Sequence, residues 1–311
     1  MGPGGIHRIH YTDWGRRSRK RVVICAHGYS GNARDFDALA AALAPHARVI
    51  CLDMAGRGES DWLQGPLHYH FGQFLSDIHG LIAHLGVREV DWVGTSMGGL
   101  LGMMLASQPA SPVRTLVMND IGAYVPSDAL QAIGRNLDAP DRFASLDEVE
   151  RHLRHTHRDW GEITDAQWKE LAVHGSRPAG SGYRLHYDPR IAQVMRMPVA
   201  SGLFFWGAWY RVRCPVLLVR GERSRIFPEA VARTMLDAKG GARLAQIPGS
   251  GHAPSLMAES HIAIVRDFLQ AENREWRQPR SSSSPASSRT RTPSPHRSAS
   301  SVGSPPAPSP T

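Results

Sequence analysis

The sequence predicts an α/β protein: a mostly parallel sheet flanked by helices, with a helical insertion between two of its strands. Two observations carry this. Short runs rich in Val, Ile and Leu, apolar at nearly every position, alternate with longer amphipathic stretches, as expected when strands are buried on both faces and crossover helices cover them. That rhythm stops for about ninety residues in the middle of the chain and then resumes.

Taken in order, Ile6–Tyr11 and Val22–Ala26 are the first strand candidates, joined by the basic turn WGRRSRKR. A helix over Asp35–Leu43 precedes a strand at Arg48–Asp53 and the turn AGRGES. The next helix, about Phe71–Leu85, gathers Phe71, Phe74, Leu75, Ile78, Leu81, Ile82 and Leu85 on one apolar face. Val90–Val93 reads as a strand, Gly98–Ser107 as a helix and Arg114–Met118 as a strand. From Ala123 to Arg213 the signals are helical only, with capping-box patterns at Ser145 to Glu148 and Thr164 to Gln167. Such an insertion is expected to cap the face of the sheet. Strand character returns at Val216–Val219, then a helix over about Pro228–Ala238, a strand at Arg243–Ile247 and a last helix over Ser260–Asn273.

A chain of 311 residues can bury a full core, and one large domain over residues 1–277, with its insertion at about 123–213, accounts for the pattern. From Arg277 onward the residues are almost all Ser, Pro, Ala, Thr and Arg. Too few apolar groups stand there to offset the entropy of ordering, so 278–311 is expected to be a disordered tail. The composition here also disposes of the basic balance: the five Arg from Arg277 onward leave only +3 of the net +8 for the rest. Neither nucleic acid nor a membrane is therefore expected as a partner. Cys25, Cys51 and Cys214 each sit in or beside an apolar run and read as small buried hydrophobes, not as a disulfide set or metal ligands. The apolar run Val22–Ala26 is too short for a signal peptide or membrane span, which leaves a cytoplasmic location as the default.

The most specific stretch is VDWVGTSMGG, Val90–Gly99. A strand, then Gly94-Thr95-Ser96-Met97-Gly98, then a helix is a nucleophile elbow, in which the glycines permit a turn tight enough to lift the Ser96 hydroxyl above the sheet. The helix starting there presents free N–H groups to developing negative charge. His27-Gly28-Tyr29 follows directly on the strand VVICA, so the Tyr29 amide is placed to form an oxyanion hole with that of Met97. A serine needs a base, and His252, in the Gly-rich loop IPGSGHAPSL between the last strand and the last helix, is the candidate.

HGYSG, the turn DMAGRGES, GTSMGG and GSGHAP, in this order and spacing, resemble the α/β-hydrolase superfamily over roughly Ile6 to Asn273. The bacterial esterase-like members with N-D-I-G after the elbow strand, as Asn119-Asp120-Ile121-Gly122 stands here, are the most similar in pattern. The resemblance implies a sheet of about eight strands, no cofactor, and a nucleophile, acid, base order along the chain. It does not imply the substrate. A serine in the elbow suits acyl transfer.

The superfamily usually places the acid three residues after the Gly that closes the penultimate strand, or one further on, but Ser224 and Arg225 occupy those positions. Glu222 is a second candidate. Asp120 is preferred because it closes the strand after the elbow strand, and neighbouring strands lie only about 4.8 Å apart. The alternative for Asp120 is a loop-holding or capping role. Of the remaining candidates, Asp53 and Arg57 read as turn-stabilising, Ser201–Tyr210 as insertion core or the lining of an apolar acyl pocket, and His152, His155 and His157 as solvated surface histidines and not a metal site. The expectation is a serine hydrolase of a small-molecule carboxylic ester or thioester with an apolar acyl part, using Ser96, His252 and Asp120. A meta-cleavage type carbon–carbon hydrolase and a degenerate, non-catalytic ligand-binding homologue are the alternatives.

Overall fold

The computed structural model describes residues 5–137, 139–140, 142–196 and 201–272. Asn273 and the segment 278–311 expected to be a tail lie outside the described residues. Seven strands form the main sheet: β1 (Tyr11–Trp14), β2 (Val22–Ala26), β3 (Arg48–Leu52), β4 (Val90–Thr95) and β5 (Val113–Asn119), with β10 (Val216–Gly221) and β11 (Arg243–Ile247) completing it. Their order is β1-β3-β2-β4-β5-β10-β11, with β1 antiparallel to β3 and the rest parallel. This is one strand short of the expected eight, and it matches the seven strand signals read from the residues.

Unbroken apolar runs arise because both faces are covered. Ile24, Ile50, Trp92, Leu116 and Leu218 face one core, with α2 (Phe71–Leu85), α3 (Met97–Ala106) and α9 (Glu229–Ala238). Their sequence neighbours Cys25, Cys51, Val93, Val117 and Val219 face the other, with α1 (Asp37–Leu43) and α10 (Glu259–Ala271). Gly86, in the left-handed conformation at φ 66°, ends α2.

Two expectations are corrected. Pairing begins at Tyr11 instead of spanning Ile6–Tyr11, because the preceding residues spend their hydrogen bonds on the Asp53–Asp61 turn: the Asp53 and Asp61 amides donate to the His10 and Arg8 carbonyls. The segment between β5 and β10 is not wholly helical. Besides α4 (Ser127–Asn136), α5 (Leu146–Thr156), α6 (Asp165–His174), α7 (Arg190–Met195) and α8 (Trp206–Trp209), it holds two antiparallel pairs. These are β6 (Tyr124–Val125) with β9 (Leu203–Phe204), and β7 (Ser176–Ala179) with β8 (Gly182–Leu185). The hairpin β7–β8 has no apolar alternation to signal it; Arg177 and Arg184 instead stack on the Trp62 ring. Of the two capping patterns, Thr164 and Gln167 form the full reciprocal box, whereas Ser145 caps α5 and Glu148 reaches back to the Ala144 amide.

Asp91, fully buried in β4, accepts hydrogen bonds from Arg21, Arg114 and Thr115. Removing the carboxylate breaks a buried ion pair and three hydrogen-bonded contacts, so Asp91→Ala is expected to lower the unfolding free energy by about 3–5 kcal/mol in urea denaturation. A loss under about 1 kcal/mol would mean that the cluster carries little.

Candidate active site

The site lies where the parallel strands end. Between β4 and α3 the backbone turns through Ser96 at φ 51° and ψ −115°, a conformation costly for a residue with a side chain. Neighbours leave it no alternative. A Cβ on Gly94 would overlap the Gly98 carbonyl, and one on Gly98 would overlap the Ala26 carbonyl at the end of β2. The Ser96 amide is fixed by donating to the Asn119 carbonyl at 2.8 Å.

His252 lies between β11 and α10, and its Nε2 is 2.9 Å from the Ser96 Oγ. Its Nδ1 is 2.8 Å from Asp120 Oδ2. The Asp120 carboxylate is wholly buried and anchored by two further donors, the Gly221 amide at 2.7 Å and the Ser224 hydroxyl at 2.5 Å. Ser224, at the position where an acid was expected, thus holds a carboxylate that stands one strand away. Asp120 itself adopts φ 56°, a conformation Asp tolerates better than most residues. Glu222 is elsewhere: it accepts from the Gly249 amide at 2.8 Å. Arg225 pairs with Asp128 at the surface.

The Tyr29 and Met97 amides, both beside Ser96, make no hydrogen bond to another described residue. A fixed frame surrounds them. Buried His27 donates from Nδ1 to the Gly28 carbonyl at 2.6 Å and accepts the Met54 amide at Nε2, 3.0 Å away. Burial lowers its pKa to about 4, which keeps the ring in the neutral form this pairing requires. Arg57, fully buried, donates from Nε to the Tyr29 carbonyl at 2.9 Å, and the Tyr29 hydroxyl donates to the Ile191 carbonyl. Asp53 accepts the Ala33 and Glu59 amides, a turn-holding role.

Two cavities meet at Ser96. One, about 260 Å³, is apolar and lined by Phe71, Phe74, Leu100, Leu130 and Val194 among others. From the aromatic stretch Ser201–Tyr210 it takes only Leu203; Trp209 belongs to the core, and Phe204 and Tyr210 are exposed. The other, about 120 Å³, is lined by His252, Asp35, Thr156, His157 and Trp160. His157, expected to be a solvated surface histidine, is therefore a residue of a cavity that Ser96 also lines. No group of His, Cys, Asp and Glu suited to a metal occurs among the described residues.

Residues 21–257 match the α/β hydrolase fold family model. The chain is 39% identical to a 3-hydroxybutyrate-oligomer hydrolase of Cupriavidus necator, over 86% of this chain and 95% of that one. It is 26% identical to a 2-(acetamidomethylene)succinate hydrolase of Mesorhizobium japonicum, over 80% and 88%. Among solved structures, a putative hydrolase from Rickettsia typhi superposes with a TM-score of 0.81 at 29% identity, covering 86% of this chain and 92% of that one. An α/β hydrolase from Novosphingobium aromaticivorans gives 0.77 at 31%, covering 85% and 94%. The chain belongs to the α/β hydrolase fold family.

Asp35 has an unusual titration. Burial raises its carboxyl pKa to about 7; the Asn32 amide opposes this, and the nearby Asp53 and Asp37 charges reinforce it. In the unfolded chain it ionises near the ordinary 3.8. Between about pH 4 and 7 the folded state therefore keeps a proton the unfolded state has lost, and stability falls as pH rises through that window, then levels off. Asp35→Asn is never charged, so its Tm should gain on the wild type's across this window, by calorimetry at fixed ionic strength. A pH-independent Tm difference would contradict the assignment.

Proposed function

We propose that the chain is a serine ester hydrolase that works through an acyl-enzyme on short linear esters of hydroxy acids. The observation that carries this reading is the unbroken hydrogen-bonded chain from Ser96 through His252 to Asp120, beside two uncommitted amides. His252 Nε2 takes the Ser96 proton as Oγ attacks the ester carbonyl, and the Tyr29 and Met97 amides receive the oxyanion. Asp120 fixes the tautomer that leaves Nε2 free to accept, and it stabilises the imidazolium that forms. That imidazolium returns the proton to the departing alkoxide. Water, deprotonated by the same ring, then releases the acid.

Hydroxy-acid esters are chosen because of the relative at 39% identity, a hydrolase of 3-hydroxybutyrate oligomers. The junction of an apolar and a more polar cavity at Ser96 suits a substrate with chain on both sides of the scissile bond. A cytoplasmic location agrees with the three unpaired cysteines. No described helix is long and apolar enough to cross a membrane.

Linear dimers and trimers of 3-hydroxybutyrate are expected to release monomer with the wild-type protein, followed by chromatography, and Ser96→Ala to abolish the release. Ser224→Ala removes one of three donors to Asp120 and should lower kcat by roughly tenfold, the worth of one hydrogen bond to a charged group. Full activity of Ser96→Ala would overturn the reading.

A further inference from the structure

The smaller cavity contains a polar group that the acyl-transfer steps leave unused. His157 lies just after α5, in a segment that grips the base loop on both sides. The Gly251 amide donates to the Asp159 carbonyl at 2.7 Å, and the Ser255 amide donates to the Trp160 carbonyl at 3.0 Å. His252 sits between those two anchor points, so the position of His157 relative to the reacting groups is set by backbone hydrogen bonds. Its ring also rests against that of Trp160, with centroids 3.9 Å apart.

The tautomer is assigned from the Thr156 hydroxyl, which has one proton to give. Assigned to the His152 carbonyl, 3.0 Å away in the preceding turn of α5, that proton leaves the hydroxyl oxygen to accept from His157 Nδ1–H at 2.7 Å. Nε2 is left as an acceptor with no hydrogen-bond partner among the described residues. Burial, reinforced by the proximity of His152 and His252, lowers the ring's pKa to about 3, so it stays a neutral acceptor throughout the ordinary pH range.

The rest of the lining narrows what this acceptor can meet. Among the described residues, no Lys or Arg lines the cavity, and Asp35 stands in its wall. A substrate carboxylate would find an acceptor lone pair and a carboxyl there, and no cation. A neutral hydroxyl finds a partner.

We propose that His157 determines specificity, its Nε2 accepting a hydrogen bond from the hydroxyl of a hydroxyacyl group bound at Ser96. This rests on the ester-hydrolase reading and adds to it the direction in which substrate lies: the hydroxyl end enters the cavity beside His252, and the carboxylate end leads away from it. A chain of a few heavy atoms is what a space of about 120 Å³ admits.

The test compares kcat/KM for the p-nitrophenyl esters of 3-hydroxybutyrate and butyrate in the wild type, His157→Phe and His157→Gln. Phe keeps an aromatic ring against Trp160 but has no acceptor; Gln offers a carbonyl acceptor and serves alone if the Phe variant does not fold. The wild type is expected to favour the hydroxylated ester by roughly tenfold, the effect of one good hydrogen bond. His157→Phe should bring that ratio to about one by lowering only the hydroxylated substrate, and His157→Gln should retain a several-fold preference. A ratio unchanged in both variants, or a parallel fall for both esters, would overturn the role of His157 while leaving the hydrolase reading intact. Hydrolysis of neither ester by the wild type would instead sink that reading, and this inference with it.

Discussion

One close approach of main chains holds the rest in place. At Gly94 and Gly98 the end of β4, the start of α3 and the Ala26 carbonyl closing β2 come together with no space for a side chain. Ser96 is forced into its positive φ by that crossing. The same approach sets the first amides of α3 beside the loop that follows β2. The Ser96 hydroxyl and the Tyr29 and Met97 amides are thus placed by a single packing constraint, and the cost of the strained serine is met by the two cores on either side of the sheet.

Asp120 stands one strand away from the position where an acid was expected, yet its Oδ2 lies 2.8 Å from His252 Nδ1. Asp120 extends β5, whose Asn119 lies in register with Thr95 of β4 and Val219 of β10. A fully buried carboxylate is unfavourable unless its oxygens are satisfied. The turn after β10 meets this need with the Gly221 amide and the Ser224 hydroxyl. Asn119 adds a tie of its own, donating to Thr95 and to the Pro254 carbonyl in the His252 loop. Asp120, His252 and Ser96 are thereby linked by hydrogen bonds across adjacent strand ends.

Local pattern explains most of what could be read in advance. Uninterrupted apolar runs marked the core strands because both faces are covered, and Gly94 and Gly98 marked the elbow because no other residue fits. The preference for Asp120 over Glu222 rests on the place of Asp120 at the end of the strand next to the elbow strand. What was missed depends on contacts distant in sequence. The hairpin β7–β8 is held by Trp62 and by bridging to Phe143, neither of which leaves a periodic signature. His157 lies within a charged stretch, RHLRHTHRD, that gives every sign of facing water. The hydrogen bonds from residues 251 and 255, distant in sequence, draw it toward Ser96.

The central claim is that Asp120, standing on β5, is the acid that orients His252. It is tested most directly by the rate at which a fluorophosphonate labels Ser96, read by mass spectrometry alongside kcat, in the wild type, Asp120→Asn and Glu222→Gln. The amide at 120 should slow both by about four orders of magnitude, as loss of the acid does in a serine protease, while Glu222→Gln stays within a few-fold of wild type. Labelling and turnover that survive Asp120→Asn within a few-fold would contradict the account.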